Sequence, residues 1–195
     1  RKGVLPPDRK TAGYTSPDNG RLFGRIVGRT EPFVTQKGRI ELKLTVTAAT
    51  GQLGTHVVKE ALRHFPKEEI RLAVRTPNKA AAYAAAGLDV VKGDYLQPET
   101  LVSAFIDTDI LIYIPSITHP SIVRVPETEN VIVAAEKARV KHLIFVGFFA
   151  DQDNNPFHMA PFFGYTNRRL ACSSLSYTVI KNAMYTDPLI QYLPE

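Results

Sequence analysis

The chain reads as a doubly wound α/β domain, a parallel sheet with helices on both faces. Three observations predict it. Strand-like and helix-like segments alternate six times between Leu44 and Lys181. The run Ile110-Leu-Ile-Tyr-Ile114 is continuously apolar, as expected of a strand covered on both faces. A small-residue turn, Ala48-Ala49-Thr50-Gly51-Gln52-Leu53-Gly54, joins the first strand to the first helix. Right-handed crossovers then favour the doubly wound arrangement over other parallel sheets.

Each element follows from its own pattern. Leu44-Thr-Val-Thr-Ala48 is a short β-type run, and Val57, Val58, Ala61, Leu62 and Phe65 then recur at helical spacing. Ile70–Val74 is the second strand, and Asn78–Ala86 an alanine-rich helix stopped by Gly87. Asp89–Lys92 predicts a third strand, followed by a helix over Glu99–Phe105 and the apolar fourth strand. Val131, Ala134, Ala135 and Ala138 mark the inner face of a helix over Thr128–Ala138. Leu143–Phe149 is the fifth strand, Asn167–Ser174 a helix, and Tyr177–Lys181 the sixth strand.

Composition divides the 195 residues in two. Residues 1–41 hold nine Lys/Arg and four acids, which is the whole of the formal +5, while residues 42–195 are balanced. The leader also holds six of the 12 glycines and shows no periodic apolar face, so it is expected to be mostly disordered. Its repeat Gly20-Arg21, Gly24-Arg25, Gly28-Arg29 would serve as a phosphate-touching basic tail, but a solvated stretch is the preferred reading. Residues 42–195 form the expected domain. They carry no basic stripe, which argues against direct nucleic-acid binding. No segment reaches the ~20 apolar residues of a membrane span. The single cysteine, Cys172, allows no internal disulfide and predicts a cytoplasmic setting, with the thiol buried and inert. The five histidines lack metal-ligand spacing, so no metal is expected. The first methionine is Met159, which predicts a piece of a longer chain.

The turn after the first strand carries the chemistry. A helix N-terminus offers free N–H groups and a dipole to a pyrophosphate. Gly51 would let the backbone approach the phosphates, and Gly54 would let the helix pack closely on the strand. Its place between strand and helix, the Rossmann-type arrangement, separates this glycine motif from chance. At the end of the second strand, where an acid would hold a ribose 2′-hydroxyl, the sequence has Arg75 and then Lys79. Two cations there suit a 2′-phosphate, so NADP(H) is the expected cofactor.

At this point Thr47–Gly54, Val74-Arg-Thr-Pro-Asn-Lys79, Gly93-Asp-Tyr95 and Ile180-Lys-Asn-Ala-Met-Tyr185 resemble the NmrA-like atypical short-chain dehydrogenases. The likeness is strongest to their NADPH-dependent quinone oxidoreductases and runs from about Leu44 to the end of the chain. It implies that Ala49, Thr50, Gly51, Gln52, Leu53 and Gly54 cradle the pyrophosphate and that Arg75 and Lys79 read the 2′-phosphate. It places Asp94 near the adenine and Ile114, Pro115 and Ser116 along the cofactor. Phe148 and Asn182 would approach the nicotinamide, and Phe149 and Tyr185 the substrate. Core packing is the competing reading for these aromatics.

Three departures qualify the resemblance. The position of the usual strand-five serine is Gly147, which has no hydroxyl to polarise a carbonyl. The usual Tyr-x-x-x-Lys reads Tyr165-Thr-Asn-Arg168-Arg169, with Tyr165 a catalytic acid only if Arg169 lowers its pKa. The chain also stops at Glu195, before the small substrate lobe that the family carries. The expected function is hydride transfer from NADPH to a small quinone or similar electrophile, which needs little acid–base help from side chains. A redox-sensing regulator that binds NADP without turnover fits the missing Ser and Lys equally well. A truncated cofactor-binding fragment is the third reading. The sequence sets no oligomeric state.

Overall fold

The computed structural model describes residues 26–29, 42–152 and 154–183. In chain order the elements are β1 (Ile26–Arg29), β2 (Leu44–Thr47), α1 (Gln52–His64), β3 (Ile70–Val74), α2 (Ala81–Ala85), β4 (Asp89–Lys92), α3 (Pro98–Phe105), β5 (Ile110–Tyr113), α4 (Arg124–Lys137), β6 (His142–Phe148), α5 (Ala160–Ala171) and β7 (Tyr177–Asn182). Strands β2 to β7 pair in parallel in the order β7-β6-β5-β2-β3-β4, so the doubly wound prediction holds. The order reverses between β2 and β5, and the crevice beyond their C-terminal ends is where such sheets place ligands.

The leader needs a correction. Ile26–Arg29, expected to lack structure, pairs antiparallel with β7, from Ile26 opposite Ile180 to Arg29 opposite Tyr177. An edge strand presents a row of unpaired backbone groups, and that row accepts a short extended segment whatever its composition. The rest of residues 1–41 lies outside the described residues.

Two apolar layers sandwich the sheet. Val58 and Ala61 of α1, with Ala80 from the turn before α2, pack on Val46, Leu72 and Val74. On the other face Leu101, Phe105, Val131, Ile132, Phe162 and Leu170, from α3, α4 and α5, cover Leu111, Tyr113, Leu143 and Phe145. Burying each such large side chain stabilises by roughly 1.5–3 kcal/mol.

Helix boundaries moved where side-chain spacing alone misled. Helix α5 begins at Ala160 rather than Asn167, because Phe162, Phe163, Thr166 and Leu170 form one buried stripe. Pro161 fits its first turn, where the missing N–H costs nothing. Helix α4 likewise starts at Arg124, with Pro126 in the first turn. The alanine-rich segment divides into a 3₁₀ turn over Pro77–Ala80 and a five-residue α2. Gly87 at φ +87° ends it, the left-handed conformation that glycine adopts without a Cβ penalty.

Candidate cofactor site

The turn after β2 is tight. Gly51 N–H donates to the Ala48 carbonyl at 3.0 Å, and Thr55 N–H donates to Gly51 O at 2.9 Å to start α1. Neither a side-chain cap nor an acidic residue occupies the first turn of α1. Its leading N–H groups therefore face outward without an intrahelical acceptor, in a positive helix-end field. A Cβ on Gly54 would sit 2.1 Å from Ala48 O and 2.8 Å from Ala49 Cα, so only glycine lets the helix lie this close. Thr50, Gly51 and Gln52 are exposed along the opening. The arrangement suits an anion held by backbone.

Ala48 stands where the family's first glycine belongs, and it is held at φ +50°. That conformation costs an L-residue about 1–2 kcal/mol. Ala48→Gly is expected to stabilise the fold by about 0.5–1 kcal/mol once glycine's greater unfolded-state freedom is subtracted. Thermal unfolding should show a midpoint higher by about 2 °C, and an unchanged or lower midpoint would contradict a strained Ala48.

Arg75 at the end of β3 and Lys79 in the following 3₁₀ turn are both exposed. Among the described residues neither side chain has an ion-pair or hydrogen-bond partner, so both are available to a phosphate. Nearby Asp94 is engaged locally: its carboxylate accepts Leu96 N–H at 3.0 Å, and its own N–H donates to Thr100 Oγ1 at 3.0 Å. Asp94 thus shapes the loop between β4 and α3.

Three strand ends are joined by a residue whose part was not foreseen. The Tyr95 hydroxyl lies 2.7 Å from both Thr47 Oγ1 and the Ile114 carbonyl, while Ile114 N–H donates to Thr47 Oγ1 at 3.0 Å. Burial pushes the Tyr95 phenol well above its ordinary pKa, so it stays a neutral clasp. Asn130 Nδ2 donates to Tyr95 O at 2.8 Å and ties the clasp to α4.

The stretch Ile114-Pro115-Ser116 follows β5 and is held from below by α4. Buried Glu127 accepts hydrogen bonds from Ser116 and, at 3.2 Å, from Thr118 Oγ1. Buried Arg124 donates to Thr118 O at 2.7 Å and lies over the Phe162 ring at 5.7 Å. Sequence reasoning missed this pair. Its only signal was two charges on an otherwise ordinary helix, which is the pattern of a solvated face.

At the end of β6, Phe148 is half-buried against Phe157, Phe163 and Phe149 with ring centroids 4.9–5.5 Å apart. Phe149 is 52% exposed, and its N–H donates to the Asn182 carbonyl at 2.9 Å. Phe148 is thus packed in this aromatic cluster yet only half-buried, and Phe149 is left largely open. Tyr185 lies outside the described residues.

Gly147 has no space for the usual serine, since a Cβ would meet Val179 Cγ1 at 2.9 Å and Phe145 Cε1 at 3.3 Å. Gly147→Ser is expected to destabilise by about 1–3 kcal/mol rather than to create a carbonyl reductase. Chemical denaturation together with a ketone-reduction assay checks both halves.

Tyr165 does not meet the condition set for it. Its hydroxyl donates to Glu129, and that bond raises its pKa, outweighing the opposite pull of Arg169. Arg169 is itself bound to Glu129 at 3.0 Å and Glu136 at 3.5 Å. The i, i+4 pair that sequence spacing cast as acid and activator is the α4–α5 clasp. Cys172 is also exposed rather than buried, because α5 ends at Ala171 before its stripe reaches it. Among the described residues no cluster of His, Cys, Asp and Glu is placed to hold a metal ion, and no helix is long and apolar enough to cross a membrane.

The fold and this turn define a nucleotide-binding α/β domain, and comparison with known proteins specifies it. A family model described as NAD(P)H-binding matches residues 48–191, and the chain belongs to that family, among the NmrA-like proteins. Quinone oxidoreductase 2 of Escherichia coli is 33% identical over 151 residues, 77% of this chain and 52% of its own length. Its structure complexed with NADPH superposes with a TM-score of 0.71, covering 76% of this chain and 51% of that one. The Citrobacter sp. triphenylmethane reductase complexed with NADP(H) is 34% identical, with a TM-score of 0.71 over 75% of this chain and 51% of that one. A Staphylococcus aureus protein titled a nucleoside-diphosphate-sugar epimerase is 42% identical, with a TM-score of 0.70 over 78% of this chain and 55% of that one. The chain spans about half the length of the curated relatives it matches.

Proposed function

We propose that the chain is the cofactor-binding part of an NADPH-dependent reductase that passes hydride to a quinone or comparable flat electrophile. The observation that carries this reading is the pairing of an uncapped, acid-free helix start with two exposed cations at the end of the next strand that have no partner among the described residues. Ala49, Thr50, Gly51, Gln52, Leu53 and Gly54 would hold the pyrophosphate by backbone, and Arg75 and Lys79 the 2′-phosphate. Ser116 and Phe148, with Asn182, would border the nicotinamide, which supplies hydride when bound. The names of the E. coli and Citrobacter relatives support the same reading.

The chain's own part is orientation. Glu127 and Arg124 hold the loop after β5, and Tyr95 locks the strand ends, so a ligand there meets a rigid wall. A quinone reduced by hydride takes its remaining proton from water, which makes the absent serine and the engaged Tyr165 tolerable.

Thermal unfolding with and without NADPH, followed by steady-state NADPH oxidation over a panel of quinones, tests this. NADPH must raise the midpoint, because a ligand of the native state stabilises it. No shift at millimolar NADPH would count against the reading. A shift without turnover in the intact protein would favour the regulator, which shares the cofactor site and lacks the chemistry.

A further inference from the structure

An open surface depression of about 630 Å³ lies between the loop after β5 and the loop before α5, lined by exposed His119, Pro120 and His158 and half-buried Ser121 and Met159. We propose that it holds the hydride acceptor, a quinoid ring whose oxygens are bound by the His119 and His158 imidazoles. The proposal rests on the reductase reading and adds a place and two residues to it.

Position supports it first. His119 follows the Ser116–Thr118 stretch that Glu127 and Arg124 hold rigid. On the opposite wall His158 follows Phe157, whose ring packs on Phe148 at 5.2 Å. Ser121 Oγ donates to the His158 carbonyl at 2.9 Å and joins the two walls. The depression therefore adjoins both segments proposed to border the nicotinamide.

The lining fits the class of ligand. Pro120 and the Met159 thioether offer soft apolar contacts to a flat ring, and exposed Ile117 and Ile122 lie beside the depression in sequence. Imidazole N–H groups are the donors present for a carbonyl oxygen.

The other histidines show why these two stand out. Both ring nitrogens of His142 are occupied, by Ser176 Oγ and Thr178 Oγ1 at 2.9 Å each. His64 is paired with Glu60 at 3.1 Å, and His56 sits on α1 away from the depression. Among the described residues the His119 and His158 rings have no hydrogen-bond partner.

The test titrates the 195-residue chain with duroquinone, following the histidine Cε1 proton resonances by NMR. Its fully substituted ring gives the exposed Cys172 thiol no free position to attack. His119→Asn and His158→Asn assign the signals. The expected result is saturable shifts of the His119 and His158 resonances, with those of His56, His64 and His142 unmoved. The double variant should weaken duroquinone binding by about tenfold or more while NADPH still raises its unfolding midpoint. Shifts at His56 or His142 instead, or none at His119 and His158, overturn the proposal. The readout uses no cofactor, so the two readings fail separately. Immobile signals in a chain that NADPH stabilises remove the acceptor site alone. Absence of NADPH stabilisation removes the reductase reading, and the duroquinone shifts still decide the acceptor site.

Discussion

Replacing Gly54 with alanine is expected to destabilise the domain by about 3 kcal/mol or more, the upper range for forced overpacking. The added Cβ would lie 2.1 Å from the Ala48 carbonyl oxygen and 2.9 Å from its carbon, both backbone atoms with no rotamer in which to retreat. Either α1 lifts off the sheet or the turn opens. Lifting α1 would expose Val58 and Ala61, which seal one face of the core. Opening the turn would break the Gly51 N–H to Ala48 O bond that sets the start of the helix. Thermal unfolding should show a midpoint lower by about 10 °C for a chain of this size. A loss under 1 kcal/mol would mean that α1 does not pack on the turn as described. Gly51→Ala, whose Cβ meets Ala48 O at 3.3 Å, should cost much less and serves as the control.

Arg75→Glu should raise the dissociation constant for NADPH by about 100-fold and leave that for NADH within about twofold. A hydrogen bond to a charged group contributes about 1.5–3 kcal/mol, and the new carboxylate adds repulsion against the same phosphate. Because Arg75 is exposed and unpartnered among the described residues, the substitution should leave the unfolding midpoint almost unchanged. Calorimetric titration with both cofactors measures the ratio. Equal loss for NADPH and NADH would place the 2′-phosphate elsewhere.

Much of the frame was legible because it depends on local pattern. The strand limits Ile70–Val74 and Asp89–Lys92 follow from short apolar runs between turn residues, and the structure reproduces them. The turn at Ala48–Gly54 was legible for the same reason, since glycine spacing between strand and helix is itself a local signal. Helix α5 was not. Its first turns, residues 160–166, lie outside the predicted helix over Asn167–Ser174, because Phe162 and Phe163 join its apolar stripe only through the core neighbours they meet in the fold.

The candidate site divides along the same line. Arg75 and Lys79 stand out because two cations interrupt a strand-to-helix turn. Tyr95, Glu127 and Arg124 are separated in sequence from the groups they hold, Ile114, Ser116 and Thr118, and no spacing rule links them. Tyr165 shows the opposite failure. Its spacing to Arg169 was correct, but the partner that decides its proton, Glu129, lies 36 positions away.

By itself, then, the sequence determined the alternation of elements, the glycine turn and the charge at the end of the second strand. These are short-range properties, set by steric permission, periodicity and local electrostatics. The tertiary structure decided which charges are buried, which hydroxyls are engaged and which histidines share a surface depression. A side chain's protonation and availability depend on groups that only the folded chain brings within hydrogen-bond distance.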